Sequence, residues 1–90
     1  MYFITRLVLR RMLLKAKASG NTEKIDLLES VLKDDELLDL VHEAVIAEYE
    51  YNQPKEGFAN PVQNFLQWLS DHQAEILTVI KIILQILVVL

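Results

Sequence analysis

Residues 76–90, ILTVIKIILQILVVL, hold twelve apolar side chains, with only Thr78, Lys81 and Gln85 between them. Such a run has to be covered, and a bilayer, the rest of the chain or other chains can cover it. Fifteen helical residues reach about 22 Å, short of a hydrocarbon core of about 30 Å. Extension upstream meets Asp71, His72, Gln73 and Glu75 at once, which argues against a simple membrane span.

The polar residues of this segment also follow a pattern. Gln63, Gln67, Ser70, Asp71, Ala74, Thr78, Lys81 and Gln85 fall along one side of a helix. Opposite them Phe65, Leu69, His72, Ile76, Val79, Ile83, Ile86 and Leu90 recur in alternating steps of four and three. An adjacent row, Val62, Leu66, Leu69, Gln73, Ile76, Ile80, Ile83, Leu87 and Leu90, does the same. Two overlapping seams make an apolar face too broad for a two-stranded coiled coil and suited to several neighbouring helices. β-Branched residues at many seam positions favour three or more strands. The expected oligomer interface is therefore Phe65, Leu69, His72, Ile76, Val79, Ile80, Ile83, Ile86, Leu87 and Leu90, although packing within one chain fits the same spacing. His72 and Gln73 are the polar residues of the seams. His72 is either a registry layer or pH-sensitive latch, or a boundary histidine near the helix's polar first half, hydrogen-bonded to Asp or water.

The whole chain has 90 residues, a single domain's worth, and a domain of this size buries only about 60–65% of its unfolded surface. Its apolar fraction of 52% exceeds what one small monomer needs, so some apolar surface is expected to be shared between chains. Two glycines and two prolines are too few for collagen-like, low-complexity or turn-rich all-β folds. The absence of cysteine excludes a disulfide framework and thiolate chemistry, and leaves the redox compartment open.

Charge is segregated. The first twenty residues carry Arg6, Arg10, Arg11, Lys15 and Lys17 and no acid. Residues 21–56 hold eleven acids against three lysines, and the net charge is −4. The basic segment is expected to lie against the acidic middle, in its own chain or a neighbour's; Arg6, Arg10 and Arg11 are also the candidate anion- or partner-binding residues. The acidic balance and scarcity of aromatics among the arginines disfavour nucleic acid. Arginines interrupt the N-terminal apolar stretch, which therefore does not read as a secretory signal. Its Arg-rich, acid-free composition resembles an organellar transit peptide, but the segment is read as part of the mature fold.

The spacing predicts an all-α fold of three to four helices, a single helical domain over 1–90. A basic helix over 2–18 is closed by Gly20 as C′ residue. It has two apolar arcs, one of Val8, Leu9, Met12, Leu13 and Ala16, the other of Phe3, Leu7 and Leu14, and so calls for two partners. Acidic helices follow at 23–33, with Thr22 as N-cap and Ile25, Leu28, Val31 and Leu32 inward, and at 35–51, capped by Asp34. The latter packs through Leu37, Leu40, Val41, Ala44, Val45 and Tyr49. A single kinked helix over 23–51 is the alternative. After a loop at 52–60, Asn60 as N-cap, Pro61 at N1 and Gln63 at N3 start a long apolar helix over 61–90, which forms an oligomeric or intramolecular bundle.

Signatures of catalysis are missing: there is no phosphate loop, no HExxH and no GxSxG. His42 and His72 lie thirty residues apart, and the Asp34-Asp35-Glu36 cluster lacks the ligand spacing of a calcium loop. Trp68, Tyr49 and Tyr51 read as core and boundary aromatics. The chain is thus expected to be a non-enzymatic helical protein without cofactor or metal. It would form a homo-oligomer of three or more chains or bind another helical protein, in the manner of a small structural or accessory component of a phage or other virus, intracellular or virion-associated. The alternatives are a holin-like or membrane-peripheral protein and an oligomeric anion- or ligand-binding protein.

Overall fold

The computed structural model describes residues 2–52 and 61–89, and the boundaries between its first three helices have local causes. Helix α1 spans Tyr2–Ser19. Gly20 ends it at φ +71°, with its N–H on the Lys17 carbonyl (3.3 Å) and the Asn21 N–H on that of Ala16 (3.0 Å). This is a Schellman closure, which requires the left-handed backbone that glycine adopts freely. Helix α2, Thr22–Leu32, starts at once. Its N-cap is Asn21, whose Oδ1 accepts from the Lys24 N–H, and not Thr22; one residue therefore closes one helix and opens the next. Helix α3, Asp35–Asn52, is capped by Asp34, whose Oδ1 accepts from the N–H groups of Glu36 (3.1 Å) and Leu37 (3.2 Å). The acidic segment is thus two helices. Helix α4 begins at Pro61; the remainder of the expected loop and the Asn60 cap lie outside the described residues.

The long C-terminal helix is not continuous. It divides into α4, Pro61–Asp71, and α5, Gln73–Val89, so that the described residues form five helices where three to four were expected. At the break the His72 N–H is shared between the carbonyls of Trp68 (3.0 Å) and Leu69 (3.3 Å), and helical bonding resumes from the His72 carbonyl to the Ile76 N–H. The His72 ring stacks on Trp68 at 4.4 Å, with Nδ1 2.7 Å from the Trp68 carbonyl oxygen. Packing supplies the reason. A straight 30-residue helix would be about 45 Å long, whereas the molecule's longest extent is 38 Å. Bending at His72 lets α4 lie on α1 while α5 lies on α3 and α2.

The 19 Å thickness of the molecule is about two helix diameters. Between the layers lies one core, formed by Ile4, Val8, Leu9 and Met12 of α1, Leu28 and Val31 of α2, and Leu37, Leu38, Val41, Val45 and Tyr49 of α3. Phe65 and Leu69 of α4 and Ile76 and Ile80 of α5 complete it. Only the first of the two α1 arcs enters this core; Phe3, Leu7 and Leu14 are exposed. On α3 the inward register differs from the expected one by the exchange of a leucine: Leu38 is fully buried and Leu40 is 45% exposed. Adjacent apolar pairs at 37–38 and 40–41 fit two helical registers, and the packing of α3 against its neighbours selects between them. Rings run in edge-to-face series from Tyr2 through His42, Phe65 and Tyr49 to Trp68, with centroid separations of 5.0–6.4 Å, and connect α1, α3 and α4. The Tyr49–Phe65 and Tyr49–Trp68 pairs each add about 0.5–1.5 kcal/mol beyond their buried area.

Candidate interaction surface

The apolar seams of the C-terminal segment have two fates. Phe65, Leu69, Ile76 and Ile80 are buried by this chain's own helices, so they are not surface that another chain can reach. Val79 and Ile83 are half-buried, and Ile83 packs against the core. Beyond them Leu84 still packs against the core, and among the described residues the cover ends there. Ile82, Ile86, Leu87 and Val88 are 51, 53, 45 and 86% exposed, while Leu90 lies outside the described residues. The exposed apolar surface is therefore shorter than the expected interface, and it continues onto α3. Leu40, Ala44 and Glu43 of α3 join Ile83, Ile86 and Leu87 of α5 in lining a shallow, almost wholly apolar groove. The sequence signal for this extension was Leu40 itself, an apolar residue left over once Leu38, Val41 and Val45 are turned inward.

The expected polar stripe is exposed along its length. Lys81, on this stripe, pairs with Glu23 and ties α5 to α2; the hydrogen bond and charge of Lys81 hold the Glu23 carboxyl below its usual value. Among the described residues no helix is long and apolar enough to cross a membrane.

Arg6, Arg10 and Arg11 do not converge on one cavity. Arg6 is engaged within the chain: it donates to the Tyr2 hydroxyl, lies over the Tyr2 ring, and pairs with Asp35 of α3 at 3.3 Å. Lys17 of α1 pairs with Glu29 of α2 at 3.8 Å. Contact between the basic helix and the acidic ones thus exists through two exposed pairs, each contributing about 0–1 kcal/mol. Arg10 and Arg11 are exposed and form no ion pair among the described residues.

The two histidines sit in different surroundings. His72 is the half-buried bend residue stacked on Trp68, and its hydrogen-bond partner is the Trp68 carbonyl rather than the aspartate or water expected of a boundary histidine. His42 was not singled out for a contact by the sequence, yet its Nδ1 lies 2.7 Å from the Thr5 hydroxyl, with Tyr2 and Phe65 edge-on to its ring. Loss of hydration lowers its pKa from 6.5. The amino-terminal charge acts in the same sense, and Asp39 and Glu43 oppose it. Thr5 is only 1% exposed, so its hydroxyl is closed to any substrate and the pair joins α1 to α3. No group of three or more metal-ligating side chains occurs among the described residues. Comparison of the chain with protein-family models, with curated proteins and with solved structures finds no match in any of the three.

Proposed function

We propose that this chain is a non-enzymatic helical protein that associates with copies of itself through the distal half of α5 and the groove beside α3. The observation that carries this reading is the uncovered apolar surface of Ile82, Ile86 and Leu87, continuous with Leu40 across the groove, at the end of a segment whose earlier seam positions are buried internally. Contiguous apolar surface rimmed by polar residues is the usual mark of an interface. Sedimentation of the full chain in detergent-free buffer tests the reading. A discrete species of three or more chains is expected. A folded monomer of 10.4 kDa throughout the micromolar range refutes it. Flotation with liposomes, with detergent-free protein that stays monomeric, assigns the same surface to lipid instead.

A further inference from the structure

The groove between α3 and α5 is apolar at its floor and acidic at its edge. Glu36, Asp39 and Glu43 follow one another at three- and four-residue steps along the exposed side of α3, flanking Leu40, and none forms an ion pair among the described residues. The outward face of α1 has the opposite character at matching spacing. Phe3, Leu7 and Leu14, exposed at 66, 45 and 67%, lie on one stripe with Arg10, and Arg11 sits beside it between Leu7 and Leu14. Each surface is an apolar strip with charges of one sign on or beside it, and the signs are opposite.

Resting on the self-association proposed above, we infer that the occupant of the α3/α5 groove is the outward face of α1 from a second copy of the chain. The leucines of α1 enter beside Leu40 and Ile86, and Arg10 and Arg11 meet Glu36, Asp39 and Glu43. Like-charged acidic rims would repel one another in a groove-to-groove contact, whereas α1 brings the complementary sign. The contact is heterologous: every copy offers one groove and one α1 face. Repeated in one direction around successive copies, such contacts close into rings or continue as filaments, which agrees with three or more chains.

The design of the test uses two surface variants of the full chain. Arg10→Glu/Arg11→Glu disables the α1 face, and Ile86→Glu disables the groove; circular dichroism checks that both remain helical. At low ionic strength, where exposed charges are least screened, each variant alone should sediment at the 10.4 kDa chain mass. A 1:1 mixture should give a species of twice that mass, because the intact α1 face of one variant fits the intact groove of the other. Wild-type-like assembly by Arg10→Glu/Arg11→Glu alone overturns the inference and leaves self-association standing. A mixture that stays at the chain mass overturns it as well. A wild-type chain that never assembles, or an Ile86→Glu variant that assembles normally, removes the underlying reading together with it.

Discussion

His42 joins two helices through Thr5, and the surroundings that make this joint firm also make it sensitive to acid. Its imidazole is partly withdrawn from water and faces the amino-terminal charge, so the charged form is disfavoured in the folded state and the folded pKa lies below 6.5. The unfolded chain then binds the proton first as pH falls. Stability attributable to His42 is complete above about pH 6.5 and declines from there down to its lower folded pKa. Glu23 acts in a separate window: its folded pKa lies below 4.5, and its contribution is lost only under more acid conditions, as the Lys81 pair is neutralised. Urea unfolding at pH 7 and pH 5.5 is expected to give a lower midpoint at pH 5.5, and His42→Asn should flatten the difference. Equal slopes in the two proteins would place the titration elsewhere. The sequence offered no sign of this joint, because residues 5 and 42 are brought together only by the packing of α1 on α3.

At the scale of the element, the ends of helices were more legible than their directions. Gly20 and Asp34 act over three or four residues, so their geometry follows from local sequence. The Thr22 expectation misplaced the α2 cap by one residue because Asn21 serves two ends at once. The break at His72 carries no glycine or proline; it arises because α4 and α5 rest on different helices, a long-range condition that no window of sequence contains. Seam periodicity picked out Phe65, Leu69, Ile76 and Ile80, which are buried, but neither the break that divides the seams between two helices nor where the chain's own cover stops. That limit is testable within α5. Ile80 is fully buried, and Ile80→Ala should cost about 2–5 kcal/mol in dilute protein. Ile86, six residues on and 53% exposed, should change the stability of the dilute chain by less than about 0.5 kcal/mol when replaced by alanine, while weakening assembly. Comparable losses in chemical denaturation of dilute protein would mean that the distal turns pack onto the core after all.

At the scale of the whole molecule, the uneven cover of α5 implies uneven local stability. The first turns of α5 are held by Ile76 and Ile80 in the core and by Lys81 on Glu23, whereas Ile82, Ile86, Leu87 and Val88 leave much of their surface in water. Backbone that is flanked by few buried side chains opens at low free-energy cost, and a partner that covers it adds its binding free energy to local protection. Hydrogen exchange measured by mass spectrometry across a protein dilution series reads this directly. Peptides from residues 4–16 of α1 and 37–49 of α3 contain the core positions and should be protected at every concentration. Peptides over residues 82–89 should exchange quickly when the chain is dilute and slow down as concentration rises. If α1 of a second copy is the occupant, that protection should vanish at all concentrations in Arg10→Glu/Arg11→Glu, although no residue of α5 is altered. Exchange over residues 82–89 that ignores concentration in the wild-type chain would show that no copy of the protein covers its apolar end.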